Sequence, residues 1–323
     1  MINNLLDKQR VLFVTTKNVD YIRNVQEISL IRQCAANCRV IGFSDKSYVR
    51  RLIKVYWNLL RERAGNYDVV FVGFAPQLVI PVWWRKFRKC QMVIDFFISM
   101  YDTLACDRQV VGKTSLAAKF LHVIDKRTIG RADHMIVDTR AHGDFFVTEF
   151  GADQSKSEVL YLEADKAIYY PRERRAKENT DQFTVLYFGS ILPLQGVEVV
   201  LKAAELLREN DKIHFVVIGP VKDEMKHYQG DNISYIAWLS QTELAEKIAE
   251  ADLCLAGHFN GRIDKAKRTI PGKAYIYEAM GKKMILGDNP ANHELFTDDD
   301  MHYYVEMGNA AGLAERIVNI LDA

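Results

Sequence analysis

What this 323-residue chain lacks excludes several functions at once. Its five cysteines, Cys34, Cys38, Cys90, Cys106 and Cys254, are odd in number and form no CxxC pair. That argues against a disulfide framework and against a zinc site, and for reduced thiols. No apolar run approaches the roughly 20 residues needed to span a bilayer. Charge of one sign is missing too. With 43 basic and 42 acidic residues the net charge is +1, which gives no footprint for nucleic acid. Low-complexity and proline-rich stretches are absent, and 49% hydrophobic with 26% charged residues is the composition of a folded globular protein. The opening MINNLLDKQRVLFV passes straight from a short apolar run into a strand pattern, unlike a secretory leader. The expectation is a cytoplasmic protein whose membrane contact, where there is any, is peripheral. His122, His134, His142, His258 and His293 show no metal-ligand spacing, so no metal is expected.

What is present is a repeated βα grammar. The length suits two domains of ordinary size. Strand patterns fall at 11–16, 39–43, 68–73, 91–97, 134–138 and 158–162, and again at 183–188, 213–218, 233–236, 252–256, 283–286 and 302–305. Most are continuous Val, Ile and Phe runs rather than alternating ones, as in parallel sheets covered on both faces. Helical patterns lie between them at about 20–36, 46–64, 115–130, 140–150, 196–209, 241–250, 273–281 and 310–321. The charged segment PRERRAKENTDQ at 171–182 has no hydrophobic period and reads as a linker. The resulting fold class is α/β, with two Rossmann-like doubly wound domains, 1–170 and 183–323, facing a cleft that holds the ligand.

Three segments of the second half carry anion chemistry. In FTVLYFGSILPLQGVEVVLKAAELL (183–207) a strand ends at Gly189 and a helix begins near Gly196. Glycines let backbone approach a ligand, and a helix start offers free N–H groups to an anion. Tight turns alone would explain the same glycines. In KAKRTIPGK (265–273), Lys265, Lys267, Arg268 and Lys273 cluster before or at a helix start, where cations oppose the helix dipole. Either solvent or an anionic partner such as a diphosphate satisfies them. The run HFVVIGP ends a buried strand at Gly219, at the same edge.

Taken together these segments resemble glycosyltransferase family 4. GSILPLQGVEVVLKAAELL is similar to that family's glycine donor loop. RTIPGKAYIYEAMGKKMILGDNPANHEL is similar to its acidic region and following strand, and residues 131–171 to the end of its acceptor domain. The resemblance implies a GT-B fold, a nucleotide sugar bound by the second domain as substrate, and a glycan or lipid-linked acceptor on the first. It also implies retention of anomeric configuration, no required metal and no further cofactor. The sequence departs from the pattern. Ser190 and Gln195 stand where the family's donor loop has Arg and Lys, and Arg268 and Ile276 occupy its two acidic positions. Glu278 lies two places out of register and takes no role. The expected donor-binding set is therefore Gly189, Ser190, Gln195, Gly196, Gly219, Arg268 and Lys273, with the cations moved to the facing loop to stabilise the leaving diphosphate.

On the acceptor side, VIDFFISMYDTLACDR (93–108) supplies Asp95 at a strand end, then Asp102, Asp107 and Arg108. A carboxylate here would orient the acceptor hydroxyl or take its proton, while a helix cap and an ion pair would equally explain these residues. The segments 46–63 and 83–89 mix basic, aromatic and aliphatic residues, with Val49, Leu52, Ile53, Tyr56, Leu59 and Leu60 on one stripe and the Trp83–Trp84 pair following. That mixture suits either an anionic lipid surface or packing on a sheet. The expected activity is sugar transfer in surface polysaccharide assembly. A nucleotide-sugar epimerase and a non-catalytic partner subunit of the same fold are the alternatives.

Overall fold

A computed structural model of the protein describes residues 2–172, 182–221 and 228–323. The chain divides into two compact units, Met1–Glu163 and Ala164–Ala323. Most of the charged segment read as a linker, 173–181, lies outside the described residues.

In the first unit, α1 (Ile2–Leu6) precedes β1 (Arg10–Val14), α2 (Ile22–Cys34), β2 (Asn37–Ile41), α3 (Tyr48–Arg61) and β3 (Val69–Val72). Then come α4 (Ile80–Phe87), β4 (Gln91–Asp95), α5 (Leu116–Ile129), β5 (His134–Val137), α6 (Arg140–Phe150) and β6 (Ser157–Val159). All six strands are parallel, in the order β2-β1-β3-β4-β5-β6. Burial on both faces explains the continuous apolar runs: β3 and β5 are buried at every position. One core layer joins Val55 and Leu59 of α3, Ile80 and Phe87 of α4, and Phe146 and Phe150 of α6. The opposite layer holds α1 and α2 through Ile2, Leu6, Ile28 and Ile31. Strand order reverses between β1 and β3, so their carboxyl ends open the crevice where doubly wound sheets bind ligands.

The second unit repeats the plan with β7 (Phe183–Phe188), α7 (Val197–Leu206), β8 (Ile213–Ile218), β9 (Ile233–Ile236), α8 (Gln241–Glu250) and β10 (Leu253–Gly257). It continues through α9 (Asp264–Arg268), α10 (Gly272–Ala279), β11 (Met284–Gly287), β12 (His302–Val305) and α11 (Ala310–Leu321). The sheet is parallel, ordered β12-β11-β10-β7-β8-β9, and its order reverses between β7 and β10. Local signals match the elements: Ser240 and Glu243 close a reciprocal cap at the start of α8. Helices α7 and α11 pack on each other above one sheet face, and Val197, Val200, Leu201, Leu313 and Ile317 build that core.

Candidate functional site

The carboxyl ends of β7 and β10 meet the loop 189–196. Gly189 directly follows β7, and its amide donates to the Ile218 carbonyl at 3.0 Å. A Cβ at Gly189 would lie 2.2 Å from Gln195 Oε1 and 3.2 Å from Lys273 Nζ, so a side chain there would displace the Gln195 amide from Lys273. Gly196 has φ +67°, and a Cβ there would stand 2.6 Å from the Asn260 amide. It therefore lets the loop touch the segment after β10, and α7 starts on it. Between the two glycines, Ile191 takes φ +55°, a strained conformation for a β-branched residue. Gly219 abuts the same turn from β8, since a Cβ on it would fall 2.1 Å from the Gly189 carbonyl oxygen. Its glycine is thus required by backbone packing beneath the loop. Ser190 is exposed.

Lys273 opens α10 behind this loop. Its side chain is 5% exposed, and its Nζ lies 3.6 Å from the ring centroid of Tyr187. The ammonium donates to Gln195 Oε1 at 3.4 Å, and the Tyr187 hydroxyl donates to the same oxygen at 3.0 Å. No carboxylate among the described residues pairs with it. Burial pushes its pKa well below the usual lysine value. A cation at a helix start, desolvated and without counter-charge, is destabilising in isolation, and an anion bound beside it would offset that cost. Arg268 ends α9, which packs against the turn Pro193–Gln195. The structure thus brings Gly189, Gln195, Gly196 and Lys273 together, with Gly219 beneath them. Lys267 is taken up by Asp264 on its own helix at 3.3 Å.

A cavity of about 750 Å³ adjoins Gly196 on the side of α7 and is lined by Glu198, Phe259, Asn260, Arg262, Glu306 and Asn309. That is ample for a nucleotide-sized ligand. These residues escaped the sequence reading because they come from three loops. The backbone joins the loops: the Phe259 amide bonds the Gln195 carbonyl at 3.1 Å, and the Gly308 amide bonds the Phe259 carbonyl at 2.7 Å.

In the first unit Asp95 is not a helix cap. Its buried carboxylate is held by both arms of Arg23, at 2.9 Å from Nε and 3.0 Å from Nη2. Glu27, fully buried one turn on, lies 3.8 Å from the same guanidinium. Burial first, and then the Asp95 charge, push the Glu27 pKa well up, so it holds its proton to higher pH than an ordinary glutamate. Nearby, Asp138 and Nδ1 of the fully buried His142 meet at 2.7 Å. Burial alone would raise Asp138, but His142 and Arg23 bring it below its ordinary value. Asp102 and Asp107 bracket a turn of π-helix, both buried, and Arg108 follows it, exposed. That turn is anchored by Asp125 of α5, which accepts from Ser99 Oγ at 2.7 Å, the Tyr101 amide at 2.8 Å and Gln77 Nε2 at 2.8 Å. Nothing in the sequence singled out Arg23, Glu27 or Asp125, because each finds its partners only through the fold.

The basic helix α3 carries the expected apolar stripe as one broad arc, of which only one edge is buried. Val55 and Leu59 point into the core, whereas Val49, Ile53, Trp57 and Leu60 are each more than half exposed. The Trp83–Trp84 pair is half-buried. Trp83 packs edge-on to Tyr56 at 5.6 Å, and Arg131 covers Trp84 at 5.2 Å. The exposed large apolar residue of α4 is Val82 instead, and α5 adds Leu116 at 83% and Phe120 at 64% exposure. Among the described residues no helix is long and apolar enough to cross a membrane. No group of three or more His, Cys, Asp or Glu among them is placed to hold a metal ion.

Residues 182–323 match the family profile described as Glycosyl transferases group 1. Over 240 residues, 70% of this chain, the sequence is 24% identical to the probable glycosyltransferase WbjE of Pseudomonas aeruginosa, covering 58% of that protein. It is 30% identical over 90 residues to a D-inositol 3-phosphate glycosyltransferase of Paenarthrobacter aurescens (strain TC1), covering 26% of this chain and 22% of that one. The chain therefore spans less than two thirds of the length of these relatives. Among solved structures, sucrose-phosphate synthase from Thermosynechococcus elongatus superposes with a TM-score of 0.69 at 13% identity, covering 97% of this chain and 90% of that one. Anabaena HepE in complex with UDP superposes with a TM-score of 0.64, also at 13% identity, with the same coverages of 97% and 90%. The chain has the GT-B fold of two Rossmann-like units, and residues 182–323 carry its similarity to the group 1 glycosyl transferases.

Proposed function

We propose that the protein is a glycosyltransferase that moves a sugar, with retention and without a metal, from a nucleoside-diphosphate donor to a glycan or lipid-linked acceptor in surface polysaccharide assembly. The observation that carries this reading is Lys273: a buried cation, without a carboxylate partner among the described residues, set against a glycine turn at the switch point of the unit similar to the group 1 glycosyl transferases. The diphosphate lies against Gly189 and the start of α7, and draws the Lys273 ammonium off the Gln195 carbonyl. As the sugar–phosphate bond breaks, negative charge grows on the diphosphate, and a preplaced cation and backbone N–H groups stabilise it with little reorganisation. Gln195 positions Lys273 in this scheme, with Arg268 as the second cation from the facing loop.

On the acceptor side, the Arg23–Asp95 pair sets the carboxyl end of β4, and Asp102, Asp107 and Arg108 shape the loop beyond it. The reading includes a cytoplasmic protein held at an anionic membrane surface. The outer faces of α3 and α5 support this contact, where Ile53, Trp57, Leu60, Leu116 and Phe120 alternate with Arg50, Lys54, Arg61, Lys119 and Arg127. One observation favours a binding-only protein instead: the Asp95 carboxylate is neutralised by Arg23 and is not free to act as a base.

The test is a melting screen against UDP-, GDP- and ADP-sugars, followed by product analysis with the donor that binds. A ligand at 100 times its Kd raises stability by about 2.7 kcal/mol. No shift with any donor overturns the assignment. Binding with neither transfer nor hydrolysis supports the binding-only reading.

A further inference from the structure

Four residues that neither the sequence reading nor the donor site uses converge on the crevice of the first unit. Lys17 and Tyr21 lie in the connection from β1 to α2, Phe74 lies two residues beyond β3, and Phe97 two beyond β4. All four are half-buried, at the carboxyl ends of the strands flanking the reversal in strand order. The three rings form a continuous strip. Tyr21 meets Phe74 edge-on at 6.0 Å, and Phe74 meets Phe97 at 5.8 Å. The strip is held from below, because Thr16 Oγ1 donates to the Phe74 carbonyl at 3.1 Å and Arg23 stacks on Phe97 at 5.7 Å. Lys17 extends over it, with Nζ 5.6 Å from the Tyr21 centroid and 5.2 Å from that of Phe74.

The carboxylates that act on Tyr21, namely Asp95, Glu27 and Asp138, are opposed there by Arg23. Among the described residues no carboxylate pairs with Lys17, whose only side-chain partners are the two rings. The guanidinium of Arg23 is satisfied by Asp95, and that of Arg51 is turned to the backbone carbonyls of Thr16 and Asp45. The positive end of α2 adds to the field, since Tyr21 at its start supplies no side-chain cap and no acidic residue stands in its first turn. An aromatic strip at a wet rim offers apolar faces, and a cation resting on such faces is readily drawn away by an anion.

We propose that Lys17, Tyr21, Phe74 and Phe97 seat an anionic sugar, a glycosyl unit bearing a phosphate or a carboxylate, as the acceptor. The anion pairs with Lys17, and the ring lays its C–H face on the aromatic strip that Lys17 vacates. This deepens the transferase reading, on which it rests, by giving the acceptor a charge and a face.

The test uses the full chain in saturation-transfer NMR, with methyl β-glucuronide, glucose 1-phosphate and methyl β-glucoside as probes. The donor site is blocked by whichever nucleoside diphosphate stabilises the protein in the melting screen. Both charged sugars are expected to receive saturation on their ring protons and to bind about five- to ten-fold more tightly than the neutral glucoside. The tighter of the two identifies the phosphate or the carboxylate as the natural group. Lys17→Gln brings the charged sugars down to the neutral level, and Lys17→Arg restores the preference. Phe74→Leu weakens ring saturation for every sugar while nucleotide binding and melting stay as in the wild type. Equal binding of charged and neutral sugars, no binding by any sugar, or an unchanged preference in Lys17→Gln overturns the proposal. Failure of the donor reading would show separately, as absence of nucleotide binding in the wild type, and the sugar arms would then be read without a blocking nucleotide.

Discussion

Lys273 is the residue at which folding and ligand binding are opposed. Its ammonium sits on the Tyr187 ring, and burial lowers its pKa. The unfolded chain therefore binds a proton that the native state resists, below the ordinary lysine value of 10.5. Across that window stability rises with pH and falls as pH falls. Lys273→Met is expected to raise the stability of the ligand-free protein by about 1 kcal/mol at neutral pH, as read by chemical denaturation. Loss of stability in that variant would mean that the ammonium is satisfied without a ligand. The acid cluster of the first unit has the opposite sign. Glu27 holds its proton to higher pH in the native state, while the unfolded chain loses it from about pH 4.5, so stability declines as pH rises through that value. Glu27→Gln, which keeps the shape and removes the titration, should gain on the wild type as pH rises from 4 to 7. Asp95→Ala, which leaves the Arg23 guanidinium buried and alone, should cost about 3 kcal/mol or more. Urea titrations of the three proteins across that range check both statements.

At the level of elements, the glycine loop and the basic helix carry the account. Gly196→Ala places a side chain at φ +67° and 2.6 Å from the Asn260 amide. The expected cost is about 2 kcal/mol together with weakened nucleotide binding, because the 189–196 loop and the segment after β10 must separate. An unperturbed melting curve with full binding would show that the contact is dispensable. For α3, Trp57→Glu and Ile53→Glu fall on the outer face, so they should leave stability nearly unchanged and abolish flotation with phosphatidylglycerol vesicles. Wild type should float with these and not with phosphatidylcholine, and less at high salt. Flotation by the variants would refute the contact. The elements themselves were largely readable: every predicted strand appears, because continuous apolar runs have one outcome when helices cover both faces. Helix α4 was not seen, since Pro76 and Pro81 interrupt its helical pattern, although Pro81 is harmless in a first turn. The stripe on α3 was readable from its period, whereas which edge of it the sheet covers was not.

Across the whole molecule, what the sequence conceals is pairing over distance. Lys273 meets Gln195 across 78 positions, and Arg23 meets Asp95 across 72. Motif order pointed to the first pair, since a glycine loop without its own cations must draw them from elsewhere. Only half of the second was marked: Asp95 was legible as a strand-end carboxylate, but Arg23 looks like an ordinary surface residue until the parallel sheet brings α2 over β4. The strain at Ile191 was equally hidden, since its residue type argues against a positive φ and only closure of the loop around Gln195 imposes one. Both units place their unusual chemistry where strand order reverses: the Gly189–Lys273 group beside β7 and β10, and the aromatic strip with its acid cluster beside β1, β3 and β4.

The most direct measurement is calorimetric titration of nucleoside diphosphates into the wild-type protein and Lys273→Met at neutral pH. The account predicts that one diphosphate binds the wild type and that the methionine variant, fully folded, binds it at least about ten-fold more weakly. Equal affinity in the two proteins would contradict it.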